Sequence, residues 1–182
     1  LEFRRVLFRS LLSINSFQKD LAAPNQLIRA SALRVMTSIR VADIIQIQLL
    51  AVRKCANDSS PYVRKCAATA IPKIYALERG RDPSTETSEQ TISSATKDEL
   101  ISILQKLLKD SSTMVLGSAV ASFNEVCPND MHLLHSSYRK LCHLLADMDE
   151  WTQMSVLQVL TRYVRSQFVD PFAPNEIGRA HV

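Results

Sequence analysis

The sequence predicts an all-α fold, a solenoid of stacked antiparallel helix pairs. Three observations lead there. Apolar residues recur at helical spacing along most of the 182 residues. One turn-and-helix pattern occurs three times, as in a helical repeat array. With only three glycines, and 6% aromatic against 46% hydrophobic residues, the composition disfavours a turn-rich β fold.

The pattern is plainest from Asp58 to Ile74. There Val63, Ala67, Ala70, Ile71 and Ile74 fall on one helical face. Ser59 or Ser60 can cap the helix start, and Pro61 suits the first helical position. The same pattern runs earlier from Pro24 to Ile39 and later from Asp110 to Val126. Ile28 to Val63 is 35 positions, as is Ile39 to Ile74; Val63 to Val115 is 52, as is Ile74 to Val126. The excess, 52 − 35 = 17, matches a polar stretch over 80–97. That stretch is rich in Ser, Thr and Glu and has almost nothing to bury, so it cannot offset its ordering entropy. The sequence therefore predicts a flexible inserted loop over 80–97, its hydroxyls belonging to a solvated linker rather than to phosphorylation sites.

Taken in order, Leu11 to Leu21 reads as a helix stopped by Pro24. Residues 25–39 form the next. Asp43 to Cys55 follows, with Ile44, Ile47, Leu50 and Ala51 inward. Residues 60–77 are its partner, and Pro72 inside it predicts a kink or an early end near Ala70. Lys97 to Lys109 is amphipathic through Leu100, Ile103, Leu104, Leu107 and Leu108, and Ser112 to Val126 answers it until Pro128. Met131 to Ala146 turns Leu134, Tyr138, Leu141 and Leu145 inward. Asp149, Glu150 and Trp151 open the last helix, which carries Met154, Leu157, Leu160 and Val164. That makes about eight helices in four pairs, joined by short links that favour stacking.

The two ends read differently. Residues 176–182 back-translate as GAG ATC GGA AGA GCA CAC GTC. The reverse complement, read from its third base, encodes Arg-Val-Leu-Phe-Arg-Ser, which is residues 5–10. Both ends thus resemble one sequencing adapter read in opposite directions. The expected division is 1–10 adapter-derived, 11–170 a native helical trunk, and 171–182 a largely adapter-derived tail. The formal charge of +4 shrinks accordingly: Glu2, Arg4, Arg5 and Arg9 sum to +2, and Glu176 with Arg179 to zero, leaving 4 − 2 = +2. That is too little to argue for nucleic acid. No apolar run reaches membrane-spanning length, so a soluble chain is expected.

Little here carries chemistry. Cys55, Cys66, Cys127 and Cys142 form no close pair, which suits a reduced, cytosolic chain. Cys66 sits among small residues, where a thiol packs like a small apolar group. Asn57-Asp58-Ser59 spells a glycosylation triplet without a signal peptide before it. Lys97 to Leu100 spells an ER-retention tetrapeptide at an internal position, where it cannot act. His132, His135, Cys142 and His143 are the one cluster with ligand chemistry. They read as helix-surface residues, since a metal site wants tighter geometry and a second pair. No Gly-rich phosphate loop exists. No catalytic, metal-binding or cofactor-binding residue is assigned, and no cofactor is expected.

The 35-residue period lies near the tetratricopeptide length, but the Trp, Leu-Gly and Tyr landmarks of that repeat are missing. HEAT/armadillo-like landmarks are present instead: a turn Asp, then Val-Arg five and six residues on, then Ala at the helix contact. Asp58, Val63, Arg64 and Ala67 carry them. The Arg is expected to bond turn Asp residues of its own or the next repeat, a structural role ahead of ligand binding. Leu116 replaces it in the third repeat, where the ladder should break.

Five ordered stretches then resemble the trunk of beta-adaptins. They are residues 16–21, 24–35, 61–68, 123–129 and 138–151. The last, continued to Phe168, is similar to the branch found in adaptor-related complex 3. Ala23 stands where the first repeat Asp would be, and Thr152 where that family has Gly after Trp. The resemblance implies a non-catalytic scaffold segment of a coat adaptor beta subunit, in vesicle transport from Golgi or endosome to lysosome or vacuole. The implied partners are the other large, medium and small adaptor chains of a heterotetramer and a small GTPase of the Arf type. Association with Golgi, endosomal or vesicle membranes would be peripheral, from the cytoplasm, with no nucleic acid. The competing class is another HEAT scaffold, of a nuclear import receptor or a phosphatase.

Overall fold

The structure, a computed structural model, describes residues 14–79 and 94–169. The adapter-like ends at 1–10 and 171–182, and most of the 80–97 stretch, lie outside those residues. Helix α1 is seen over 14–20. Then come α2 (Gln26–Met36), α3 (Ile45–Cys55), α4 (Pro61–Arg79), α5 (Ser94–Leu107), α6 (Thr113–Val126), α7 (Tyr138–Leu144) and α8 (Glu150–Gln167). Short 3-10 turns lie at Ala42–Ile44, Met131–Leu134 and Leu145–Asp147, and no strand occurs among the described residues.

The helices form two layers. The second helices of successive pairs, α2, α4, α6 and α8, pack side by side in chain order. Helix α3 rests on α2 and α4, α5 on α4 and α6, and α7 on α8. One apolar cluster runs through the stack from Leu21 to Tyr163. This is the all-α solenoid that the periodicity predicts. Each pair alone leaves an apolar face open, and only stacking closes it.

Helices α4 and α5 bury the residues expected of them: Val63, Ala67, Ala70, Ile71 and Ile74 on one, Leu100, Ile103, Leu104 and Leu107 on the other. Four expectations are corrected. Of the kink or early end expected at Pro72, the early end near Ala70 does not occur: α4 runs through Pro72 to Arg79. Proline removes the amide that would bond the Ala68 carbonyl, and the Ser122 hydroxyl of α6 lies 2.7 Å from that oxygen instead. Second, α5 starts at Ser94, so residues 94–97 are helical rather than loop. Thr96 is buried one turn before Leu100, which extends the inward face backwards.

Third, the stretch from Met131 to Ala146 is not one helix. It begins as a 3-10 turn that buries Met131 and Leu134, three residues apart as that geometry aligns them. Only 138–144 is α-helical. Fourth, the inward assignment of Leu50 fails, for it is exposed; of the apolar residues named on the last helix, Met154, Leu157 and Val164 are exposed as well. Ile45, Leu49 and Val52 face inward from α3, and Val156, Val159, Leu160 and Tyr163 from α8.

Candidate functional site: an arginine ladder between repeats

The turns before α2, α4 and α6 are joined by one repeated device. Arg29 donates from Nε to Asp58 Oδ2 at 2.7 Å and from Nη2 to Asp58 Oδ1 at 2.9 Å. Its Nη1 donates to the carbonyls of Ala23 and Pro24, each at 2.8 Å. Thirty-five residues on, Arg64 does the same, as 64 − 29 = 35. It donates to Asp110 at 2.6 and 3.1 Å, and to the carbonyls of Asp58 and Ser59 at 2.9 Å each. Each arginine therefore closes its own turn and grips the acid of the next repeat. The planar guanidinium suits both tasks, since its fork meets a carboxylate in bidentate fashion while the remaining nitrogen caps carbonyls.

Each acid also organises its own turn. Asp58 Oδ1 accepts from the Ser60 amide at 2.8 Å and Asp110 Oδ1 from the Ser112 amide at 2.9 Å. The hydrogen bond from Arg29 holds the Asp58 carboxyl below the usual carboxylate range, against the opposing pull of burial. At Asp110 burial pushes hardest, upwards. The hydrogen bonds from Arg64 and Ser112, with the charges of Arg64 and Lys140, together outweigh it and hold the carboxyl low. Cys55 lies next to this network, and burial pushes its thiol up to about 12. It is a packed side chain, not a reactive one.

The expected break at Leu116 is real in type but not in effect. Leu116 is fully buried and its side chain has nothing to donate. Lys140, arriving from α7, donates from Nζ to the carbonyls of Asp110 at 2.6 Å and Lys109 at 3.2 Å. It closes the turn that the missing arginine would have closed. No sequence pattern marks Lys140, because it comes from the following helix pair. The ladder stops there: Asp149 caps α8, accepting from the Thr152 amide and hydroxyl at 3.1 and 2.7 Å. At the other end Ala23 offers no acid.

Two further contacts lay beyond sequence reasoning, one polar and one steric. Gln48 is buried and donates to the carbonyls of Met36 at 2.9 Å and Ile39 at 3.0 Å, stitching α3 to the end of α2. Gly117 faces α8 so closely that an added Cβ would collide with the Thr152 side chain.

The histidine and cysteine cluster is dispersed. His135 Nδ1 hydrogen-bonds the Tyr163 hydroxyl at 2.7 Å, and Tyr163 stacks on Tyr138. His132, Cys142 and His143 are exposed, and no group of three potential ligands converges among the described residues. Cys55, Cys66, Cys127 and Cys142 are all free. Among the described residues no helix is long and apolar enough to cross a membrane. What the arrangement offers is not reactive groups but a stiffened stack of helices with a long surface, which suits binding by area.

Comparison with known proteins places this architecture. The family described as the adaptin N terminal region matches residues 9–175. AP-3 complex subunit beta-1 of Homo sapiens is 53% identical over 163 residues, covering 90% of this chain and 14% of that protein. AP-3 complex subunit beta-2 of Mus musculus is 52% identical over 162 residues, covering 89% and 14%. AP-3 complex subunit beta of Dictyostelium discoideum is 51% identical over 162 residues, covering 89% and 13%. A chain of a homology model of the full-length AP-3 complex in an intermediate open conformation is similar at a TM-score of 0.56 and 28% identity, over 94% of this chain and 25% of that one. The chain therefore spans about 14% of the length of these mammalian relatives. With a family match over nearly its whole length, the chain belongs to the adaptin N-terminal family.

Proposed function

We propose that this chain is a non-catalytic scaffold segment of an AP-3-type coat adaptor beta subunit. It serves vesicle-mediated protein transport from Golgi or endosome to lysosome or vacuole. The observation that carries the reading is identity of about half, over about nine tenths of the chain, to AP-3 beta subunits from mammals and Dictyostelium. The ladder supports it in physical terms. Its two arginines and two aspartates hold successive repeats together, as a scaffold requires. On this reading the partners are the other large, medium and small chains of a heterotetramer, with an Arf-type GTPase as a further one. Attachment to Golgi, endosomal or vesicle membranes is peripheral and cytoplasmic. The native trunk is 11–170, with 1–10 and most of 171–182 derived from a DNA adapter.

The test is co-expression of the tagged chain, extended to the full subunit, with the remaining AP-3 subunits. The expected outcome is co-purification of a stoichiometric complex. Recovery of transport receptors or phosphatase subunits instead would move the chain to another class of HEAT scaffold.

A further inference from the structure

Besides the two ladder arginines, four cations gather on α2, just after it, and on α4. Arg34 on α2, Arg40 just after it, and Lys65 and Lys73 on α4 make no ion pair with a carboxylate among the described residues. They are not scattered. Burial pushes the Cys66 thiol up, and the charges of Arg34, Lys65 and Lys73 pull against it, so cations of both helices lie within electrostatic reach of that side chain. Lys65 also acts on Asp149 at the head of α8. Beside this group lies a cleft of about 630 Å³, lined by Arg40, Lys73, Thr37, Ser38 and Thr69 among others, with Glu125 its one carboxylate.

The end of α2 would ordinarily repel an anion here, because helix C-termini are electronegative. In this chain those carbonyls are occupied. Leu33 O accepts from the Thr37 amide and hydroxyl, each at 2.9 Å, and Arg34 O accepts from the Ser38 hydroxyl at 2.7 Å. Met36 O and Ile39 O take the Gln48 side chain. The cations are left to act outwards.

We propose that the cleft between the turn after α2 and the second half of α4 is a docking site for an acidic, extended polypeptide segment of a partner protein. The charge complement calls for carboxylates. A cleft walled by two helix ends suits a chain lying along it, whereas a flat lipid surface would not reach its floor. This inference does not depend on the coat-adaptor reading, since it uses only charges and geometry of this chain.

The test uses the 182-residue chain and a short fluorescent peptide of alternating Glu and Ser. Anisotropy at low salt should report binding that weakens steeply as salt rises. The double variant R40E/K73E should weaken it by about tenfold or more. The variant Lys54→Glu, on the exposed side of α3, should bind as the wild type does. Both variants replace exposed side chains, and circular dichroism checks that they fold. Absence of peptide binding by the wild type, or binding unmoved by R40E/K73E, would overturn the proposal. So would tighter capture by phosphatidylserine vesicles than by the peptide, lost through the same two residues, which would make the site a lipid contact.

Discussion

Pro72 cannot donate to Ala68, and Ser122 stands in for the missing amide. Its hydroxyl lies 2.7 Å from Ala68 O and 2.9 Å from Ser118 O, in a buried position. Replacing Ser122 by Ala should leave a buried carbonyl without a partner and cost about 1–3 kcal/mol. The same replacement in a Pro72→Ala background should cost clearly less, because residue 72 then donates within the helix. A urea-denaturation double-mutant cycle reads the difference, and strictly additive costs would refute the substitution of one donor for the other. The ladder acids make a second residue-scale prediction. Asp58 and Asp110 are both held low in the fold. Their stabilisation is fully present above the unfolded carboxylate value of about 3.9 and fades as pH falls through the lower folded values. Asp110→Asn should therefore lose on the order of 2–3 kcal/mol at neutral pH and show a flatter stability curve below about pH 4. An equal acid dependence in wild type and variant would count against it. Asp58 and Arg64 were legible in the sequence because the turn acid and its arginine recur at a fixed offset. Ser122, Gln48 and Lys140 were not, because each acts on an element distant in sequence and carries no motif.

At the scale of the helix, legibility followed the number of apolar stripes. Helix α5 has one, at Leu100, Ile103, Leu104 and Leu107, and its face was read correctly. Helix α8 has two. Val156, Val159, Leu160 and Tyr163 pack inward, while Met154, Leu157 and Val164 look out. Periodicity cannot choose between two stripes, and only the neighbour α6 decides. Helix α3 misled in the same way through Leu50, which is 61% exposed. The turn at Met131–Leu134 had no proline or glycine to announce it. Helix α4 gives the sharpest test of an assigned face. Ala67 has no exposed surface, so Ala67→Glu would place an unpaired carboxylate inside the stack. Loss of cooperative melting is expected, whereas Ala76→Glu, on an exposed position of the same helix, should melt as the wild type does. Equal melting of both variants would show the face wrongly placed.

For the molecule as a whole, the second-helix layer closes on itself inside the stack and stays open at both margins. Ile28 and Val63 occupy equivalent repeat positions, yet Ile28 is 46% exposed and Val63 fully buried. On α8 the outward stripe of Met154, Leu157 and Val164 is joined by Trp151 and Phe168. Contiguous apolar surface of this kind is rarely left in water. In a protein whose mammalian relatives are about seven times longer, by the 14% coverage, further repeats are the natural cover. The isolated chain should then associate with itself as concentration rises, and Met154→Glu should oppose this. Trp151 is the one tryptophan and is 80% exposed, so it reports on this margin directly. Its emission should resemble that of a solvated indole in dilute solution and shift to the blue with concentration, in step with the sedimentation coefficient. In a chain extended by the next helix pair, the emission should be blue at every concentration. If Trp151 stays solvent-like in the extended chain, this stripe is not where the following repeat stacks, and the outward face of α8 belongs to another partner.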